Sequence, residues 1–102
     1  MIGSHKTTVR IDVPKAVLSV VYHSTEVVKV LNNKYAVLNS GGWLTPTTKR
    51  RMNQASSEYR LNFQVFQRGY IWYVKTPYDE QEFYDNIMID ISEGVIVRKM
   101  NR

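Results

Sequence analysis

Two pairs of apolar runs, each joined by a short turn, restrict this chain to folds built from antiparallel strands. Residues 26–40 hold the first pair, separated by Asn32 and Asn33, and asparagine tolerates the left-handed backbone that a tight hairpin turn needs. In residues 61–75 apolar and polar side chains alternate before and after Arg68-Gly69. This alternation predicts a second hairpin with its turn at that dipeptide.

The main helix is predicted at about residues 46–60. The segment TPTT at 45–48 offers hydroxyls for an N-cap and a proline for the first turn, and apolar positions then recur at helical spacing. The face toward the sheet comprises Thr48, Met52, Ala55 and Tyr59. The opposite, polar face comprises Arg50, Asn53, Gln54 and Ser57. A short second helix is expected at 79–86, and further strands are expected at 7–13, 16–23, 87–91 and 95–97.

The order of these segments predicts an α+β fold. We expect a mostly antiparallel sheet of about five to seven strands, with two clear hairpins and one main helix packed on one face. The length of 102 residues suits a single domain spanning 1–102, in which residues 1–6 are either disordered or a cloning remnant. No run is long enough to predict a membrane span or a secretory signal, so a cytoplasmic protein is expected.

The residue inventory gives little support to catalysis or metal binding. There is no cysteine, and the two histidines, His5 and His23, lack metal-ligand spacing. The acids in residues 79–85 are better explained as solvated side chains than as a metal site. Ser40 has no base that the sequence identifies. We therefore expect a protein that is not an enzyme, with no catalytic residue, no cofactor and no metal.

The excess positive charge is concentrated in one third of the chain. The net charge is +5, and residues 43–75 contain six basic side chains and one acid, while the basic and acidic side chains elsewhere cancel. An acidic stretch follows, beginning with Asp79, Glu80, Glu82 and Asp85. Either this stretch neutralises the basic third within the fold, or the basic third meets an acidic partner.

The loop and helix start at residues 39–54 are the predicted anion-binding site. Three consecutive cations follow the N-cap, although a helix N-terminus already carries partial positive charge, so each costs about 0.3–1 kcal/mol at low salt. A phosphate would offset this cost, and glycines, hydroxyls and free backbone N–H groups suit it. The Walker spacing is absent. The predicted nucleic-acid or anion-binding residues are Ser40, Gly41, Gly42, Trp43, Thr47, Thr48, Lys49, Arg50, Arg51, Asn53, Gln54, Arg60 and Arg68.

Aromatic residues are interspersed with this basic third, and two roles are open for them. Most would fill the core of so small a chain, whereas those on an uncovered surface would stack on bases or anchor a protein partner. Asn53 and Gln54 would be placed to read base edges if the outer helix face met a nucleic acid. The aromatics concerned are Trp43, Tyr59, Phe63, Phe66, Tyr70, Trp72 and Tyr73.

The stretch LNSGGWLTPTTKRRMNQAS at residues 38–56 resembles the core of a family of small proteins and domains encoded by tailed bacteriophages, with the pattern LNSGGW-x-T-x-TTK-x-RMNQAS. A looser likeness in the hairpin at 63–74 extends the resemblance over roughly residues 26–76. The resemblance implies a phage origin, and with it the cytoplasm of the infected bacterial host, but no mechanism. The positions that carry it are Ser40, Gly41, Gly42, Trp43, Thr47, Thr48, Lys49, Arg51, Asn53 and Gln54.

Two functions follow as hypotheses. The first is a phage accessory binding protein that contacts phosphate or nucleic acid through residues 40–54 with nearby aromatics. The alternative is a host-takeover or anti-defence protein that inhibits or adapts a host protein, in which case the same surface would bind an acidic protein partner. A third interpretation is a homo-oligomer whose strand edges pair between subunits. No membrane partner is expected.

Overall fold

We describe residues 7–98 from a computed structural model of the chain. The first four strands precede the helix and the other five follow it. The elements are β1 (Thr7–Asp12), β2 (Val17–Tyr22), β3 (Thr25–Leu31), β4 (Tyr35–Leu38), α1 (Pro46–Tyr59), β5 (Gln64–Arg68), β6 (Ile71–Lys75), β7 (Glu80–Glu82), β8 (Ile87–Asp90) and β9 (Val95–Val97). The expectation that residues 1–6 are disordered or a cloning remnant concerns residues outside the described range.

The strands form two antiparallel sheets, which confirms the predicted α+β class. One sheet has the order β1-β2-β3-β4-β8-β9, and the second has the order β5-β6-β7. Where one sheet of five to seven strands was expected, β8 takes the edge of β4, with Leu38 opposite Ile87 and Ala36 opposite Ile89. That edge is therefore closed to β5, so the second hairpin and β7 form a sheet of their own.

Helix α1 begins and ends at residues suited to those positions. Thr45 is the N-cap in an extended conformation, its Oγ1 accepts a hydrogen bond from the N–H of Thr48 at 3.2 Å, and Pro46 starts the first turn. Arg60 closes the helix in the left-handed region at φ 56°. The predicted helix is confirmed, ending one residue earlier than expected.

The helix and both sheets share one hydrophobic core. Met52 and Ala55 of α1 are fully buried, as predicted, together with Thr48, whereas Tyr59 is only partly buried. In the second sheet Val65, Trp72 and Val74 face inward, and Leu61 and Phe63 approach the core before β5 begins. The larger sheet contributes the buried side chains Val20, Val28, Val30, Ala36, Leu38, Ile87, Ile89 and Ile96.

Side chains of α1 hold the outer edge of β5 in the manner of an additional strand. The Asn53 amide accepts from the N–H of Val65 at 2.7 Å and donates to the carbonyl of the same residue at 2.8 Å. One turn later, the Ser56 hydroxyl accepts from the N–H of Phe63 at 3.0 Å and donates to its carbonyl at 2.6 Å. The prediction that Asn53 points outward was wrong, because an unpaired strand edge beside a helix needs hydrogen-bond partners.

The predicted short helix at residues 79–86 is not formed. Glu80–Glu82 is instead strand β7, which pairs with β6 and sets Glu80 opposite Lys75. The Asp79 carboxylate fixes this geometry, because its oxygens accept from the N–H groups of Glu80 at 2.9 Å and Ile96 at 3.0 Å. Local acidic composition favoured a helix, but these contacts with a distant strand determine the conformation.

Candidate functional site

The loop from β4 to α1 is closed by its own hydrogen bonds. Both the N–H and the hydroxyl of Ser40 donate to Asp85 Oδ1, each at 2.8 Å. The N–H of Gly41 donates to Asn39 Oδ1 at 2.7 Å, and that of Gly42 donates to the Ser40 hydroxyl at 3.1 Å. The N–H of Trp43 donates to the Ser40 carbonyl at 3.0 Å. Four successive backbone donors are therefore engaged within the fold, and any anion contact in this loop depends on side chains.

Glycine is required at position 41 by its surroundings. The backbone has φ +65°, and a Cβ there would lie 2.3 Å from Thr25 Oγ1 and 3.2 Å from Thr25 Cβ. Gly42 has φ +85° but no atom would lie within 4 Å of its Cβ. Gly41 thus allows close approach of the loop to the start of β3, whereas Gly42 supplies the turn conformation alone.

The three cations at the start of α1 diverge. The Lys49 ammonium donates to Gln67 Oε1 at 3.2 Å and lies 5.6 Å from the centre of the Trp72 ring. Arg50 projects into solvent. Arg51 donates to Gln54 Oε1 at 3.1 Å and lies over the Tyr22 ring at 5.6 Å. The three positive charges therefore lie apart: Lys49 contacts the second sheet, Arg50 is in solvent, and Arg51 lies at the end of β2 in the larger sheet.

The acids of residues 79–85 meet other groups. Asp79 pairs with Arg98 at 2.7 Å, Glu80 approaches Arg68 at 3.4 Å, and Asp85 holds Ser40. Within residues 7–98, neither Lys49 nor Arg50 forms an ion pair with a carboxylate. The cost of placing cations at the helix N-terminus is therefore not relieved at Lys49 or Arg50 by this acidic segment.

Two further predicted residues lie apart from the helix start. Arg60 caps the opposite end of α1. Arg68 lies on the outer face of the second sheet, 4.8 Å from the centre of the Tyr73 ring, and Tyr73 stacks with Phe66 at a centroid distance of 5.6 Å. The predicted residues of 40–51 thus share one loop and helix start, although its three cations diverge, whereas Arg60 and Arg68 lie elsewhere. Thr47 is half-buried in the first helical turn.

A groove opens between this loop and the β2–β3 turn. Its volume is about 490 Å³. The exposed indole of Trp43, with 68% of its surface accessible, stands at this groove. Its walls include both hydroxyl-bearing and aromatic side chains, so it offers both hydrogen bonds and stacking surfaces. The lining residues are Tyr22, His23, Ser24, Thr25, Val27, Ser40, Trp43, Thr45 and Thr48.

Sequence reasoning missed one wall of this groove. The residues of the β2–β3 turn, from Tyr22 to Thr25, were read as the end of a strand and its turn. His23 has φ 59° and packs on Tyr22 with ring centroids 4.3 Å apart. No local pattern links this turn to the loop at 40–45, because the two meet only through the pairing of the strands. An aromatic-histidine pair at a tight turn is the one signal that was available.

Ionisable groups at the far edge of the fold have shifted pKa values. The Arg98 guanidinium, aided by backbone N–H groups of Ile96 and Glu80, lowers the pKa of Asp79 from 3.8 to about 2. A hydrogen bond from Ser92, with the nearby Lys34 ammonium, lowers the pKa of Asp90. Neither carboxylate lies at the groove. Within the described residues no His, Asp or Glu side chains cluster so as to hold a metal, and no helix there is long and apolar enough to cross a membrane.

Comparison with known proteins identifies the family. No curated protein and no solved structure matches the chain. The family model described as Kyanoviridae Gp96 protein matches residues 1–91. This match extends beyond the range of 26–76 over which the sequence resemblance was seen, and it takes in β1, β2 and the acidic segment. The chain therefore belongs to the Kyanoviridae Gp96 protein family, a phage protein family of unknown role.

Proposed function

We propose that this phage protein is a binding module that contacts single-stranded nucleic acid at the groove beside the start of α1. One unpaired base stacks on Trp43, and the phosphates on either side contact Lys49, Arg50 and Arg51. The proposal involves no chemical step and no cofactor, and it places the protein in the cytoplasm of the infected bacterial host. The observation that carries it is the exposed indole of Trp43 shortly before a helix start at which neither Lys49 nor Arg50 forms an ion pair with a carboxylate of residues 7–98.

The position of Trp43 supports stacking. Its backbone is fixed by the bond from its N–H to Ser40, and Ser40 is itself fixed by Asp85, so the ring is presented from an ordered loop. An exposed tryptophan leaves a large apolar surface in water. Stacking on a base would cover that surface, and such contacts are worth about 1–3 kcal/mol per base.

The electrostatics indicate where phosphate would lie. The Asp85 carboxylate lies against Ser40, so an anion near the glycine loop would be repelled. The opposite side, along the first turn of α1, carries Lys49 and Arg50 and also the positive end of the helix dipole. Phosphate is therefore expected at the helix start and not at the glycine loop. The proposed phosphate site is thus smaller than the loop and helix start at residues 39–54 that the sequence predicted.

A binding experiment at several salt concentrations tests this proposal. A fluorescent single-stranded oligonucleotide is titrated with protein, and three phosphate contacts predict that log affinity falls with log salt at a slope of about −2. Trp43→Ala should weaken binding by roughly 5- to 150-fold at every salt concentration. Lys49→Ala/Arg50→Ala should reduce the slope by about 1.4 because two contacts are lost.

Tyr78→Ala is the matched control. Tyr78 is an even more exposed aromatic residue, but its N–H donates to the carbonyl of Gly94 at the turn between β8 and β9, at the opposite end of the sheet from Trp43. Its removal should leave affinity and slope unchanged. No binding at low salt, or equal losses in Trp43→Ala and Tyr78→Ala, would contradict the proposal.

A protein partner is the second candidate. Leu44 follows Trp43 and is 57% exposed, so the pair forms an apolar surface next to cations, which is typical of hot spots in protein interfaces. Capture from host lysate before and after nuclease treatment separates the two functions. A partner that survives nuclease and is lost in Leu44→Ala would favour the protein-binding function, whereas loss on nuclease treatment would favour nucleic acid.

A further inference from the structure

Strand β1 is an open edge of the larger sheet. It pairs with β2 alone, from Thr7 opposite Tyr22 to Asp12 opposite Val17. Within residues 7–98 its other edge meets no strand. Ile11 is 64% exposed, and Val13, the first residue of the turn that follows β1, is 78% exposed, so apolar side chains accompany the unpaired backbone groups at this end of the strand. Such an edge is a template for pairing with a further strand.

The sequence of this edge is complementary to itself. At its C-terminal end β1 carries Arg10, Ile11 and Asp12, which are a cation, an apolar residue and an anion. When two copies run antiparallel about a two-fold axis at Ile11, Arg10 of each copy lies opposite Asp12 of the other. Ile11 then lies opposite its own copy, so the three residues from Arg10 to Asp12 of each strand pair directly.

We propose that two copies of this chain pair through β1 in this register to form a dimer with a continuous twelve-stranded sheet. The charges favour this register over those with the axis one residue to either side. With the axis at Arg10 or at Asp12, like charges would lie directly opposite each other, which destabilises a strand pair. The same two charges disfavour pairing with an unrelated strand, so β1 of a second copy is the strand expected to pair with this edge.

The local surroundings leave both charges available for this pairing. The Arg10 side chain is 65% exposed and reaches only 3.8 Å from Glu26, a weak contact. Asp12 is exposed and accepts one bond, from the N–H of Lys15 at 3.3 Å, which leaves its other carboxylate oxygen without a partner among the described residues. Both side chains lie on the same face of β1, because they are two residues apart.

The dimer would place both helices on the same side. Residues directly opposite each other in an antiparallel pair project to the same face of a sheet. The face of each larger sheet covered by α1 therefore continues into the same face of the other copy. This arrangement does not depend on the proposed nucleic-acid binding, since β1 pairing uses Arg10 to Asp12 and the groove uses Trp43 and the helix start.

Reversal of charge tests the dimer and its register. Sedimentation equilibrium over a concentration series should show the wild-type protein approaching twice the monomer mass. Asp12→Arg and Arg10→Asp each create two like-charge pairs and should weaken dimerisation by at least about tenfold. The double variant Arg10→Asp/Asp12→Arg restores opposite charges across the axis and should dimerise nearly as well as the wild type.

The controls keep the proposal testable if a single variant is unstable. Glu82→Arg makes the same charge change as Asp12→Arg on exposed strand β7 and should not alter the dimer. Amide hydrogen exchange in the wild type should slow in β1 as protein concentration rises. A wild-type monomer at every concentration, a dimer indifferent to Asp12→Arg, or a double variant that stays monomeric would overturn the proposal.

Discussion

Removal of the Asn53 side chain tests whether α1 stabilises the edge of β5. Asn53→Ala eliminates two hydrogen bonds to Val65, at 2.7 and 2.8 Å. The N–H and the carbonyl of Val65, a residue that is only 1% exposed, then lose their hydrogen-bond partner. Each unsatisfied group costs about 1–2 kcal/mol. The better helix propensity of alanine returns about 0.6 kcal/mol. The free energy of unfolding should therefore fall by about 2–3 kcal/mol.

This loss is a large fraction of the stability of a small domain. A total of about 5–15 kcal/mol is typical. Urea unfolding followed by circular dichroism should show the midpoint lowered by roughly 1–2 M. Gln54→Ala is the control, because Gln54 accepts a bond from Arg51 alone, and it should change stability by less than about 0.5 kcal/mol.

Two results would refute the structural role of Asn53. The first is an Asn53→Ala protein as stable as Gln54→Ala. The second is an Asn53→Ala protein that unfolds like the wild type but has lost affinity for an oligonucleotide, because that outcome would return Asn53 to the base-reading role expected from the sequence. A destabilised variant that still binds below its unfolding midpoint agrees with the contacts seen here.

Two further predictions concern the loop and the far edge. Gly41→Ala should destabilise the fold by at least about 1 kcal/mol more than Gly42→Ala in thermal unfolding, because both force alanine into positive φ but only position 41 also meets Thr25; equal effects would show that Thr25 moves aside. Since the folded pKa of Asp79 is lowered to about 2, its contribution to stability is complete above the ordinary value of 3.8 and is lost as pH falls toward 2. The gap in unfolding free energy between wild type and Asp79→Asn should narrow over that range, and a gap independent of pH would contradict the assigned ion pair.

Local chemistry predicted most of the elements. Asn32 and Asn33 both adopt φ 54°, as the hairpin assignment required, and Thr45 and Pro46 start the helix where hydroxyl and proline chemistry placed it. These features depend on a few adjacent residues. The helix predicted at residues 79–86 was wrong, because Asp79 is fixed by Ile96 and Arg98, which lie 17 and 19 residues further along the chain.

The candidate site was predicted in part, for the same physical reason. The cations lie at the helix start as the local pattern indicated, and the exposure of Trp43 excludes a place in the core, one of the two roles that the sequence left open for the aromatics. The engagement of the loop N–H groups was missed, because Asp85 reaches Ser40 across 45 residues of sequence. The groove wall at Tyr22–Thr25 was missed as well, since only the register of the strands brings that turn beside the loop.

The residues of 38–56 can be separated by whether the fold itself requires them. Leu38 and Met52 fill the core, Ser40 binds Asp85, Gly41 admits Thr25, and Ser56 holds the edge of β5. The fold alone therefore explains why these residue types stand at these positions, and no binding partner is needed to explain them. The indole of Trp43 makes no described hydrogen bond or ring contact and is 68% exposed, so folding does not explain a tryptophan there. Trp43 and the adjacent Leu44, which is 57% exposed, together leave an apolar surface that the fold does not use, and under the proposed function a ligand covers it. Trp43→Ala, and not a change in the glycines, is therefore the variant that separates binding from folding.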